Sequence, residues 1–225
     1  PGTTKGYAGF VNETIHVNVA PVNDAPVISG ARRVETEEDT DISITWLSIY
    51  DPDFVYDGLF DKDFMTVSVS TDMGSLSLNS DEVRFDMGTP DDFTSHLVFR
   101  GGLHAVNDAL KELIYRPPAN WHGADTLTIS VSDNGHYDGS LTKTPLSHER
   151  SFSVLVLSRF DPMDVQAPWK SFTATAHEPV SLSGLRVVDV DSSHDATVVR
   201  LSCARCEWSV PVTRAALGVS LLDTT

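Results

Sequence analysis

The residues of this chain best suited to chemistry are oxygen donors. Asp51-Pro52-Asp53 sets two carboxylates two positions apart, Asp133 opens the turn Asp133-Asn134-Gly135, Asn23-Asp24 lies in a Pro-rich stretch, and Glu38 lies in the acidic run Glu35 to Asp41. Hard divalent cations, Ca2+ above all, take about six to eight oxygen ligands from carboxylates and carbonyls on adjustable loops. Four carboxylates crowded without a cation would repel by on the order of 1 kcal/mol per pair or more, and Ca2+ converts that repulsion into ligation. The competing reading is local, since Asp-Pro and Asp-Asn-Gly are strong turn formers and each Asp could serve only its own turn. Which reading holds depends on whether the chain brings these loops together.

The elements that must position them are strands. Residues 13 to 19, Glu-Thr-Ile-His-Val-Asn-Val, alternate polar and apolar as a half-buried strand does, and the linker Val19 to Pro26 follows directly. Further strands are expected at Ile42 to Ile49, Met65 to Ser70, Ser75 to Leu78, Glu82 to Phe85, Ser95 to Arg100, Thr126 to Ser132 and Ser151 to Leu157. Between them, Leu103, Val106, Ala109, Leu110, Leu113 and Ile114 recur at three and four residue intervals, which predicts one short amphipathic helix over 103–114, ended by Pro117-Pro118. Many short strands with turn signals and one helix describe a β-sandwich. If the first strand runs away from the linker, the second returns, and Asp51-Pro52-Asp53 lands beside Asn23-Asp24. The last strand must run away again, so the turn at Asp133 lies at the same pole.

The pattern then restarts. His177-Glu178-Pro179-Val180-Ser181 follows Thr40-Asp41-Ile42-Ser43, Asp189-Val190-Asp191 follows Asp51-Pro52-Asp53, Val198 to Val210 overlays Thr66 to Leu78, and Ser151 to Val156 follows Thr14 to Val19. The implied period is roughly 135 to 140 residues. The expected organisation is 1–22 as the closing strand of a preceding repeat, 23–158 as one whole repeat, and 159–225 as the first part of a following, incomplete one. The opening Pro1-Gly2-Thr3-Thr4-Lys5 is unlike a secretory signal, and the chain is expected to be a segment of something longer.

The order of acidic pair, Asp-x-Asp, Asp-x-Gly and linker Asn-Asp-Ala-Pro resembles the cadherin repeat, and more closely the cadherin-like, Ig-like tandem repeats of very large surface and adhesin-type proteins. Residues carrying the closer likeness are Gly74 to Leu78, Leu103 to Leu110 with Leu113 to Pro117, and Trp121 to Ile129. The resemblance covers 13–158 well and 168–218 more weakly. It implies a mainly β fold of tandem sandwiches with one short helix each, and Ca2+ bound between repeats so that the rod is stiffened. The ligands at the first joint would be Asn23, Asp24, Glu38, Asp51, Asp53 and Asp133. At the second joint Val165-Gln166-Ala167-Pro168 replaces Asn-Asp-Ala-Pro, and the partial set is Asp161, Glu178, Asp189 and Asp191, with Asp164 nearby.

Composition narrows the partners. Thirty-two acidic against 16 basic residues give a net charge of -16, which disfavours nucleic acid and anionic membrane and suits divalent cations. No apolar run approaches the ~18 residues that span a bilayer. Cys203 and Cys206 bracket the position of the turn Thr71 to Gly74; ends of a tight turn lie within ~7 Å, so a local disulfide is expected, with free thiols the alternative. Asn12-Glu13-Thr14 is a glycosylation acceptor if the chain is secreted. The histidines, among them His104, His122 and His136, form no ligand spacing, and Trp121 suits a core plug. No phosphate loop or nucleophile elbow is present, so no enzyme is expected. The function expected is a structural or adhesive segment of an extracellular or cell-surface glycoprotein that contacts neighbouring repeats and other surface or filament proteins. The alternative is a glycan- or protein-binding module presenting the acidic loop Asp51 to Asp63.

Overall fold

The structure, a computed structural model, describes residues 9, 12–19, 22–31, 33–54, 64–137, 140–141, 144–167, 171, 173–191 and 198–207. The chain divides into two compact units, Pro1–Asp191 and Ser192–Thr225. In chain order the elements are β1 (Val27–Ser29), β2 (Arg33–Glu37), β3 (Ile42–Ser43), β4 (Ser48–Tyr50), β5 (Met65–Thr71), β6 (Ser75–Ser77), β7 (Arg84–Met87), β8 (His96–Gly101), α1 (Leu103–Lys111), β9 (Ile114–Arg116), β10 (Gly123–Ser132), β11 (His136–Tyr137), β12 (Ser140–Leu141), β13 (Ser147–Leu157), β14 (Asp164–Gln166) and β15 (Arg186–Val188).

Alternation makes the main layer. In β5, Met65, Val67, Val69 and Thr71 are buried while Thr66, Ser68 and Ser70 are half-buried, the period-two pattern of a sheet with one face on a core. Six strands pair in the order β2-β13-β10-β5-β8-β7, with β2 parallel to β13 and the other pairs antiparallel. The remaining core-facing pieces are the three-stranded sheet β3-β9-β6, the ribbon β1-β4 and α1. Their apolar side chains, such as Ile28, Ile49, Leu76, Tyr115 and Leu110, share one core with Val67, Phe99, Leu127 and Phe152 of the large sheet. The unit is mainly β and sandwich-like, with one short helix among the described residues.

Several elements depart from the pattern read in sequence. The helix stops at Lys111, where the Glu112 N–H bonds Ala109 O at 2.9 Å and the Leu113 N–H bonds Leu110 O at 3.4 Å. Ile114 and Tyr115 instead enter β9, the central strand between β3 and β6, so sheet pairing overrides a helical spacing that Leu113 satisfies simply by being buried. The run Ile42 to Ile49 breaks into β3 and β4 around Trp46, whose ring packs edge-on to Phe152 at 5.0 Å. Gly30 lies under the same ring, where a Cβ would sit 2.7 Å from Trp46, and there the chain crosses from the ribbon into the large sheet.

Residues 13–19 form no strand. Ile15, Val17 and Val19 are 81%, 80% and 81% exposed, because nothing among the described residues pairs with this segment. In the second unit Cys203 and Cys206 are joined by a disulfide with Cα atoms 5.8 Å apart, and the flanking residues 198–202 and 207 carry no strand where a hairpin was expected. Asp57, Asp61, Asp63, Trp169 and residues 208–225 lie outside the described residues.

Candidate metal centre

Five of the predicted ligands lie at the end of the sandwich where the linker enters, Asp24 through its backbone N–H, although among the described residues three carboxylates come within 4.8 Å of one another only at Glu38, Asp39 and Asp161. Asp133 follows β10 and is fully buried; its Oδ1 accepts N–H bonds from Gly135 at 2.7 Å and Leu146 at 2.8 Å. Its Oδ2 accepts from Asn23 Nδ2 at 2.7 Å, which ties the linker to the turn. Asp51 follows β4 and is 2% exposed, and its Oδ1 accepts the Asp53 N–H at 2.9 Å. Asp53 Oδ2 in turn accepts the Asp24 N–H at 2.6 Å. Segments far apart in sequence therefore converge, and each local turn is tied to another.

The electrostatics of this cluster are unbalanced. Burial pushes the Asp51 carboxyl up to about 6, the neighbouring charges of Asp53 and Asp133 add to the rise, and N–H donors of Asp53 and Phe54 oppose it. Two buried acceptors, Asn23 Oδ1 and Asp51 Oδ2, have no hydrogen-bond partner. A buried oxygen without a donor costs about 1 to 3 kcal/mol, so two of them beside like charges call for something positive. An all-oxygen set of carboxylates and an amide fits a hard divalent cation and not a soft metal.

Glu38 does not join this group. The large sheet fixes its place: Ser132 pairs with Ser147 at the linker end, while Gly123 pairs with Val156 and Glu37 with Leu157 at the other. The ten-residue length of β10 puts the two ends on the order of 30 Å apart. At that far end Glu38 is buried, its Oε1 accepts the Arg159 N–H at 2.6 Å, and Glu38, Asp39 and Asp161 bring carboxylate oxygens within 4.8 Å of one another. A parallel β2 explains the correction, since the acidic run at its end travels with the end of β13 rather than with the linker.

Asp161 repeats the linker-end pattern. Its N–H donates to Asp191 Oδ2 at 2.5 Å, and the Asp191 N–H donates to Asp189 Oδ1 at 3.3 Å. Burial, then the charges of Asp191, Asp39 and Glu38, raise the Asp161 carboxyl above its ordinary range, and Asp161 Oδ2 is a third buried acceptor without a partner. Glu178 lies in an exposed turn where its backbone N–H bonds Thr175 O; the acidic grouping at Asp161 does not include it. Asp164 starts β14 and is exposed, as is Asn12. The half-buried Trp121 packs against the core.

Sequence reasoning missed Asp39 as a neighbour of Asp161, and Asp125 altogether. Asp125 is 3% exposed and accepts from Thr71 Oγ1 and Tyr115 Oη, both at 2.7 Å, and from the N–H groups of Asp72, Met73, Gly74 and Thr126. Burial alone would raise this carboxyl, but the donors outweigh it and hold it below the usual range, while the Tyr115 phenol is pushed up by burial and by Asp125. The signal was Gly74 just before β6 with Asp125 early in β10, a tight turn and an acid that could accept its N–H groups.

No family model matches the chain, and no curated protein does. Among solved structures the chain is similar to a conjugative transposon lipoprotein from Bacteroides eggerthii at 16% identity, covering 56% of this chain and 95% of that one, with a TM-score of 0.27. A score that low carries no argument about function. The class defined by fold and site is a mainly β, sandwich-like unit with a buried acidic cluster where its linker enters.

Proposed function

We propose that the chain is a non-enzymatic segment of an extracellular or cell-surface tandem array, in which cadherin-like repeats are joined by linkers stiffened by Ca2+. The observation that carries this reading is the convergence of Asn23, Asp24, Asp51, Asp53 and Asp133, with buried oxygens of Asn23 and Asp51 left without donors. When bound, Ca2+ would supply positive charge to these oxygens. The chain's own contribution is to hold the linker, through Asn23 on Asp133 and Asp24 on Asp53, against the turns that follow β10 and β4.

Recurrence supports the array. β1 pairs with β4 through Val27↔Tyr50, Ile28↔Ile49 and Ser29↔Ser48; β14 pairs with β15 through Asp164↔Val188, Val165↔Val187 and Gln166↔Arg186. The spacing between matching residues is again roughly 135 to 140, which sets Phe160-Asp161, and not Val165-Gln166 of β14 as expected from sequence, opposite the linker's Asn23-Asp24. Asp24 on Asp53, 29 residues apart, recurs as Asp161 on Asp191, 30 residues apart. Ile15, Val17 and Val19 correspond to Phe152, Val154 and Val156, the buried positions of β13, so 13–19, which forms no strand here, carries the pattern that would close another sandwich where one precedes it in an array. Neighbouring repeats are then the first partners of each unit, and Asn12 is an exposed glycan acceptor.

The test is thermal unfolding of the whole chain with Ca2+ or EDTA. Ca2+ at 100 times its dissociation constant is expected to add about 2.7 kcal/mol, abolished by Asp51→Asn with Asp53→Asn. An unchanged melting curve in EDTA sinks the reading.

A further inference from the structure

The ribbon β1-β4 has only two strands, yet four of the five linker-end residues flank it: Asn23 and Asp24 lead into β1, and Asp51 and Asp53 follow β4. Antiparallel partners alternate between residues that exchange both main-chain bonds and residues that exchange none. Ile28 and Ile49 are partners of the second kind, because their N–H and C=O groups point outward, away from each other. Ile28 N–H donates to His148 Nδ1 at 2.9 Å, and its C=O accepts from Arg150 at 3.1 Å. On the other edge the Asn107 side chain takes both groups of Ile49: Oδ1 accepts its N–H at 2.8 Å and Nδ2 donates to its C=O at 2.9 Å. A second Nδ2 bond, to Leu103 O at 3.0 Å, locks the amide onto α1.

We infer that Asn107 is a positioning residue for the linker-end cation site, acting as a one-residue strand that fixes β4 and through it the Asp51-Asp53 turn. Only an amide can do this, since a donor and an acceptor on one planar group are needed to match a peptide edge. Ile49 lies two residues before Asp51, and both are buried, so a shift of β4 is carried directly into the carboxylates. Without Asn107 the Ile49 N–H and C=O face an apolar core with no strand to pair with, and β4 must move to reach water. The inference rests on the cation reading for its consequence and on main-chain geometry for its content.

The experiment compares the full chain with Asn107→Ala and with Val69→Ala, a core truncation in β5, a strand of the large sheet that does not pair with the ribbon. Amide exchange by NMR in EDTA reads the turn directly: Asn107→Ala is expected to speed exchange at the Asp53 and Asp24 N–H groups about tenfold relative to the Val69→Ala protein. Calorimetric titration with Ca2+ reads the consequence, an affinity about tenfold weaker for Asn107→Ala and unchanged for Val69→Ala. If the alanine protein does not fold, Asn107→Asp, which keeps the acceptor for Ile49 N–H but loses the donor to its C=O, is measured in its place. Equal exchange and equal affinity in the Asn107 and Val69 proteins overturn the inference. If the parent chain takes up no Ca2+, the cation reading falls, and exchange at Asp53 and Asp24 alone decides for or against Asn107 as the residue that positions the turn.

Discussion

Asn23 donates from Nδ2 to Oδ2 of Asp133 at 2.7 Å, so the linker is bonded to a turn 110 residues further along the chain. The same carboxylate satisfies the N–H groups of Gly135 and Leu146. Asp133→Ala would strip three donors at once in a fully buried place. The expected loss is about 3 kcal/mol or more by denaturant unfolding, and it should persist in EDTA because these bonds need no cation.

The raised carboxyl of Asp51 gives the cation-free chain an unusual pH response. An acid whose folded pKa lies near 6 binds its proton more tightly in the folded state, so its stabilising share is complete below the unfolded value near 4 and is lost as pH rises through about 6. In EDTA, stability should therefore fall between pH 4 and pH 7, by at most about 3 kcal/mol from this group. Asp51→Asn should remove that slope, and urea midpoints across the range measure it.

Asp125 has the opposite sign. Its folded pKa is depressed, so its contribution is present above the unfolded value and disappears as pH falls below about 4. Asp125→Asn puts an amide donor among six donors and is expected to cost about 4 kcal/mol, measurable as a loss of melting temperature at pH 7 with or without Ca2+.

Gly74 belongs to the same knot. A Cβ there would lie 2.4 Å from Tyr115 Cε2 and 2.7 Å from Arg116 O, and the Gly74 N–H bonds Asp125 at 2.9 Å. Gly74→Ala should cost about 2 kcal/mol or more by displacing Tyr115, seen as a shifted tyrosine spectrum as well as a lower denaturant midpoint.

Much of this was legible in sequence for physical reasons. Alternation named β5, β10 and β13 because a one-sided sheet leaves a period-two record, and the turn residues marked their ends. The meeting of Asn23, Asp24, Asp51, Asp53 and Asp133 followed from strand directions alone. Glu38 was misplaced because sequence does not state which neighbour β2 chooses: a parallel partner sends its end to the far pole. Ile114 read as helical because its spacing fits one, and only the presence of β3 and β6 on either side makes it strand. Asn107 and Asp125 left no periodic trace, since each acts through main-chain groups that composition does not reveal.

The parallel pair β2-β13 has a mechanical meaning. Tension on the chain enters β2 from the linker end and leaves β13 at Leu157, so the two strands are dragged in opposite directions while lying side by side. Their five register pairs, Arg33↔Ser153 to Glu37↔Leu157, are then loaded together in shear, and none can open before its neighbours as in a zipper. A unit closed in this way is expected to yield to pulling from its ends only when all five pairs break together.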